Sequence, residues 1–318
     1  MTQPRKLSLP YREPYDFAQL CNFLSTRSID GIEQVEVDSY CRILALPDAD
    51  DSTKLHRGWI KVTRSSRKNC LNLQLQDTLL PCKQAATQIA RQIFDLDADP
   101  ASYLPTLGSL AKDAPGLRLP GAADGFELAV RAVLGQQITV KAARTLATRF
   151  VHRFGDKLVC SEMPELSYSF PQPAKIARVR TESIAKLGII QRRADTIKAL
   201  AREIKAGRLD LTPAADAEHT YKSLCALPGI GDWTAQYLCM RALQWPDAFP
   251  AADYGVLKAL ALDKPAAAKE HAEQWRPWRA YAVMHLWHGL NTTSKTTSKT
   301  KPDTKPDTKP KAKTKTTA

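Results

Sequence analysis

Leu71, Leu73 and Leu75 alternate with Asn72, Gln74 and Gln76, a period of two that sets one row of side chains against a core and the other towards water. Trp59-Ile60-Lys61-Val62 stands upstream at hairpin distance, so the pattern predicts two antiparallel strands. The period then changes. Ala86, Ile89, Ala90, Ile93 and Phe94 fall at i, i+3, i+4, i+7 and i+8, one apolar stripe on a helix, and PYDFAQLCNFLSTR near the N-terminus predicts another helix. Beyond Asp99-Pro100 the chain reads as helical: Phe126 to Phe150, Ser183 to Leu187, Ala194 to Ala206 and Tyr221 to Cys225 carry the pattern, and Gly188 and Gly207 stand where helices end. No strand pattern of comparable strength follows, and no repeat at solenoid spacing occurs. The expectation is an α+β fold, with an antiparallel sheet and helices over residues 1–99 and an all-α region after it.

Composition narrows the function. The chain has 318 residues, 43% of them apolar, enough for a sizeable core. Its apolar runs fall short of the roughly eighteen residues of a membrane span, and MTQPRKLSLPYREPYDF lacks the apolar block of a signal peptide, so a soluble, cytoplasmic protein is expected. The seven cysteines (Cys21, Cys41, Cys70, Cys82, Cys160, Cys225, Cys239) are scattered and never spaced as C-x-x-C, which predicts neither a disulfide framework nor a zinc site. His285 and His288 are the only close histidine pair, without a carboxylate at metalloprotease spacing, so no metal-centred active site is expected. The formal charge is +13; residues 291–318 contribute +6 of it, eight lysines against Asp303 and Asp307, which leaves +7 on the body. A basic body suggests a polyanionic partner. The Lys/Thr/Pro tail over 291–318 cannot bury a core and is expected to be disordered, either as an electrostatic arm on nucleic acid or as a solvated tail.

One stretch in the helical region breaks its pattern. In ALPGIGDWTAQY, residues 226–237, Pro228 cannot continue the preceding helix, Gly229 and Gly231 open backbone conformations closed to other residues, and a second helix starts near Asp232. The first N–H groups of that helix lack internal partners and lie at the positive end of its dipole, and glycine lets a phosphate come close. Thr234 stands where a dinucleotide fingerprint needs its third glycine, and Gly-Lys-Ser/Thr is missing, so two other phosphate loops are excluded. On the residues alone the stretch is a phosphate-binding hairpin or an ordinary helix connection. Asp253 reads as the N-cap of a helix over Tyr254 to Leu262 or as a site carboxylate. Trp233 and Tyr237, four apart on one helix face, read as core or as a ligand-facing pair.

Leu227-Pro228-Gly229-Ile230-Gly231 resembles the hairpin of the helix-hairpin-helix DNA glycosylases, and Asp253, 22 residues beyond Gly231, stands where that superfamily has its catalytic aspartate. PYDF near Tyr15, PGLRLPG at Pro115 to Gly121, VRAVLGQ at Val130 to Gln136 and WRPWRAYAVMHLW at Trp275 to Trp287 are similar to a narrower group, the bacterial DNA-3-methyladenine glycosylase II enzymes. The resemblance covers about residues 8 to 289. It implies a TATA-binding-protein-like N-terminal domain (1–99) followed by a helix-hairpin-helix glycosylase core of two subdomains. One is formed by 100–124 together with 246–290, and the other, carrying the hairpin, by 125–245.

The resemblance also implies the chemistry. Asp253 would stabilise positive charge developing on a deoxyribose and orient a water. Trp233, Tyr237, Trp287 and Phe23 would surround an extruded base, and a cationic alkylated purine would be held by cation–π attraction. Leu227, Pro228, Gly229, Ile230 and Gly231 would bind backbone phosphate, with a structural Na+ or K+ on the carbonyls of Cys225, Leu227 and Gly229. Gln137 stands at the minor-groove wedge, where leucine is a familiar form. Trp233 occupies the position at which strand-cutting relatives carry a Schiff-base lysine, and the terminal four-cysteine array of cluster-bearing relatives is missing. The implied protein is a monomeric, monofunctional hydrolase of double-stranded DNA containing alkylated bases. It needs no required cofactor, no iron–sulfur cluster and no membrane, and is cytoplasmic and nucleoid-associated. A fused methyl-transfer module is not expected. The alternatives are a non-catalytic helix-hairpin-helix DNA-binding protein, for which Asp253 and the aromatic trio have no use, and a glycosylase for oxidised purines, whose usual catalytic lysine is missing here.

Overall fold

The computed structural model describes residues 6–48, 50, 51 and 53–298. Five antiparallel strands, β1 (Lys6–Pro10), β2 (Glu33–Val35), β3 (Ser39–Pro47), β4 (Leu55–Arg64) and β5 (Cys70–Leu75), form one sheet in the order β1-β5-β4-β3-β2. The predicted hairpin pairs Val62 with Leu73 and Ile60 with Leu75, so the alternating leucines of β5 face one core. Helices α1 (Phe17–Ser25) and α2 (Lys83–Ile93) cover that face, joining Phe17, Leu20, Ala86, Ala90 and Phe94 to Val62, Leu71 and Leu73. Strand β3 is buried along nearly its whole length, because its second face, with Cys41, Ile43 and the neighbouring Trp59, is covered by Cys160 and Leu166 from the helical region. A central strand buried on both sides loses its period of two.

The helical region contains α3 (Pro100–Leu107), α4 (Gly125–Gly135), α5 (Val140–Phe154), α6 (Pro173–Arg178), α7 (Thr181–Ala185), α8 (Gln191–Lys205), α9 (Ala217–Cys225), α10 (Asp232–Arg241), α11 (Tyr254–Leu260), α12 (Pro265–Ala272) and α13 (Arg279–Ser298). A two-residue ladder, β6 (Asp156–Lys157) with β7 (Tyr168–Ser169), interrupts them. The single helical run expected over Phe126 to Phe150 is two helices. Gln137 takes φ +55°, and the Thr139 hydroxyl accepts from the Ala142 N–H as a new N-cap.

Helix α4 is the axis of the region, buried along most of its length and packed against α5, α8 and α10. Tyr103 on α3 stacks on Tyr281 of α13, with ring centroids 4.2 Å apart, which ties residues after the sheet to the last helix. The last helix is described as far as Ser298. Residues 299–318 of the tail lie outside the described residues. No helix among the described residues is long and apolar enough to cross a membrane.

Candidate active site

The hairpin is built by close packing. Gly229 takes φ +88°, and a β-carbon there would lie 2.0 Å from Thr196 Oγ1, the hydroxyl that donates to the Pro228 carbonyl at 3.0 Å. Ile230 is buried and anchors the loop. Gln136, at the end of α4, donates to the Gly229 carbonyl at 3.0 Å and to Thr234 Oγ1 at 3.2 Å, and Arg193 donates to the Gln136 carbonyl. The hairpin and the α4–α5 turn are thus one unit, with exposed Gln137 at the tip of the turn.

Gly231 is the N-cap of α10 and offers no side-chain cap. Nothing stands within 4 Å of where its β-carbon would be, so the surface at Gly231 is open. Asp232 is turned aside by Tyr221, whose hydroxyl donates to it at 2.7 Å. The Leu227 carbonyl accepts from the Ile230 N–H at 3.1 Å and the Gly229 carbonyl from Gln136. Among the described residues no group of three His, Cys, Asp or Glu could hold a metal ion.

Beyond the hairpin a cavity of about 470 Å³ opens, and Trp233, Tyr237, Asp253, Gly255 and Trp287 line it. Asp253 caps α11, its Oδ1 accepting from the Val256 N–H at 3.0 Å. The same oxygen accepts from Trp287 Nε1 at 2.8 Å, and Oδ2 accepts from Trp233 Nε1 at 2.9 Å. Three N–H donors from α10, α11 and α13 therefore fix one carboxylate at the cavity wall. Asp253 is thus the N-cap expected from the sequence and also faces the cavity. Trp233 and Tyr237 stack on one another, 5.3 Å between centroids and 6° between planes. A ring inserted between them would need roughly 7 Å, twice an aromatic contact distance, so no flat ligand fits between these two rings as they stand.

Phe23 is half-buried. The Arg27 guanidinium lies 3.8 Å from its ring centroid and that of Arg241 4.8 Å, so the ring packs against two cations. The two arginines do line the cavity. Arg241 donates to the Tyr237 hydroxyl at 3.0 Å and is anchored on the Pro120 and Gly121 carbonyls. Burial lowers the pKa of Arg27 and of Arg241, with the Tyr237 hydroxyl acting in the other direction. Deeper in the same cavity, Arg131 Nη2 donates to Glu33 Oε2 and Glu127 Oε1 at 2.5 Å each, and Arg42 reaches Glu127 at 2.8 Å. Burial opposes the charge of Glu33, but Arg131 and Arg42 outweigh it and hold its carboxyl down at about 2. This network fastens the sheet to α4. Arg27, Arg241, Thr196 and Gly255 were not singled out in the sequence; for Arg241, Thr196 and Gly255 what matters is a partner distant in the chain, Phe23, Pro228 and Trp287 in turn.

Residues 6–124 match the family described as the AlkA N-terminal domain and residues 130–276 the HhH-GPD superfamily base excision DNA repair protein family. DNA-3-methyladenine glycosylase 2 of Escherichia coli is 33% identical over 281 residues, which cover 88% of this chain and 96% of that one. A probable bifunctional transcriptional activator/DNA repair enzyme AlkA of Mycobacterium tuberculosis is 37% identical over 292 residues, covering 88% of this chain and 56% of that protein. Among solved structures, a 3-methyladenine DNA-glycosylase from Archaeoglobus fulgidus shares the fold, with a TM-score of 0.76 at 20% identity over 91% of this chain and 99% of its own. With both halves matched in order and Asp253, Trp233, Tyr237 and Trp287 brought to one cavity, the chain belongs to the helix-hairpin-helix base excision DNA glycosylases, in the group that carries an AlkA N-terminal domain.

Proposed function

We propose that the protein is a monofunctional DNA N-glycosylase that removes alkylated purines, 3-methyladenine and 7-methylguanine above all, from double-stranded DNA. The observation that carries this reading is the Asp253 carboxylate held by Trp233, Trp287 and the Val256 amide on the wall of an aromatic cavity. The α10 amides beyond Gly231 grip a phosphate, Gln137 fills the gap left in the stack, and the extruded base lies between Trp287 and the Trp233–Tyr237 pair.

As the bond from C1′ to the base nitrogen breaks, its electrons pass to the base and neutralise the positive charge of an alkylated purine. Positive charge develops on the sugar, where the Asp253 carboxylate stabilises it. A water oxygen then bonds to C1′, and its proton passes to Asp253 or to solvent. Trp233, at the position of the Schiff-base lysine in strand-cutting relatives, has no amine for covalent catalysis, so the abasic strand stays intact. A Na+ or K+ on the carbonyls of Cys225, Leu227 and Gly229 would brace the hairpin without entering the reaction. We take the working form to be a cytoplasmic, nucleoid-associated monomer.

The test is product analysis of methylated duplex DNA treated with the protein. Free 3-methyladenine and 7-methylguanine, an unbroken abasic strand and no borohydride-trapped adduct are expected. Release of oxidised purines alone, or a trapped adduct, would overturn the assignment.

A further inference from the structure

Gly255 stands two residues after Asp253, inside helix α11. Its backbone torsion is not of the kind that demands glycine; in a helix interior alanine is the better residue. What requires glycine here is contact. A β-carbon at this position would lie 2.9 Å from Trp287 Cδ1, 3.2 Å from Trp287 Nε1 and 3.0 Å from Asp253 Oδ1. The pyrrole edge of the indole thus rests against the bare α11 backbone, and from there its N–H reaches Asp253 Oδ1 at 2.8 Å.

We propose that Gly255 is a positioning residue for the glycosylase site: the absence of a side chain seats Trp287 against the Asp253 carboxylate. The inference rests on the reading of Asp253 as the group beside the reacting sugar. A methyl group at 255 requires the indole to retreat by roughly 0.5–1 Å to regain a normal carbon contact. The 2.8 Å hydrogen bond then stretches past the useful range, and Oδ1, itself 3.0 Å from the new carbon, is displaced with it. No residue of the hairpin is among the nearest neighbours of the added carbon.

The experiment is a double-mutant cycle on the full-length protein, Gly255→Ala against Trp287→Phe, read as the single-turnover rate of 3-methyladenine release. Binding to a duplex carrying an abasic-site analogue and the thermal midpoint are followed in parallel. Gly255→Ala is expected to slow release about tenfold or more, the scale of one hydrogen bond to a charged group. It should leave duplex affinity unchanged; the thermal midpoint balances the gain of alanine in a helix against the crowded Asp253 cap and confirms that the variant is folded. In the Trp287→Phe background, where no indole N–H remains to be displaced, the same substitution should cost several-fold less rate than in wild type, the remaining loss coming from the contact with Asp253 Oδ1. Equal losses in both backgrounds, or no loss in the wild-type background, would each overturn the inference. Asp253→Asn is measured beside it: if that variant stays fully active, the underlying reading fails. If it is inactive while Gly255→Ala is not impaired, only the inference about Gly255 fails.

Discussion

Asp95 gives the sharpest quantitative prediction outside the site. It follows α2 in a left-handed conformation, φ +50°, and its Oδ2 accepts from the Leu119 N–H and the Tyr281 hydroxyl at 3.0 Å each, joining the first domain to α13. Burial pushes its carboxyl from 3.8 up to about 7, although the Leu119 amide and the Arg118 charge act the other way. The native state therefore holds a proton that the unfolded chain releases above pH 4, and stability must fall as pH rises from about 4 to about 7. At about 1.4 kcal/mol per unit the whole effect is about 4 kcal/mol. His285 opposes it: burial lowers its pKa from 6.5 to about 4, so its contribution to stability rises with pH over much of the same interval. Asp95→Asn isolates the first effect, because asparagine tolerates the left-handed backbone and its carbonyl can accept both hydrogen bonds. Urea unfolding followed by circular dichroism at half-unit steps from pH 4.5 to 8 should show the variant gaining about 3 kcal/mol on wild type by pH 7, and a constant difference beyond it. Two curves that run parallel across the whole range would refute the reasoning.

Other expectations follow from single contacts. Gly229→Ala combines a left-handed alanine with overlap on Thr196 and should cost about 2–3 kcal/mol in denaturant unfolding; adding Thr196→Ala should recover part of it. Gln137→Gly relieves φ +55°, so it should hold or raise stability by up to about 1 kcal/mol while weakening binding to an abasic duplex in a gel-shift titration. Phe23→Leu removes the ring that two guanidinium groups face and should lower the thermal midpoint; Trp233→Phe should reduce release of both 3-methyladenine and 7-methylguanine.

Much of this architecture was legible because local pattern and tertiary role coincide. Strand β5 alternates in sequence as it does in burial, and the hairpin shows its glycines and proline in one short run. Strand β3 was not legible, since a second layer from residues 160–166 buries its outer face and removes the alternation. The break between α4 and α5 had a signal that the apolar pattern overrode: Thr139 before Val140 is a cap residue following Gly135. At the site, Asp253, Trp233, Tyr237 and Trp287 could be named from spacing and resemblance, but not that two indoles hold the carboxylate. Phe23 lies against the guanidinium groups of Arg27 and Arg241; the second of these contacts joins residues more than 200 apart, which no local pattern encodes.

The central claim is that Asp253 performs the chemistry while the hairpin and aromatic wall only bind. Single-turnover release of 3-methyladenine from methylated duplex by wild type and Asp253→Asn, with binding to an abasic-site duplex measured on the same preparations, tests it most directly. The account expects the rate to fall at least about a hundredfold with duplex affinity retained; an unchanged rate in the variant would contradict it.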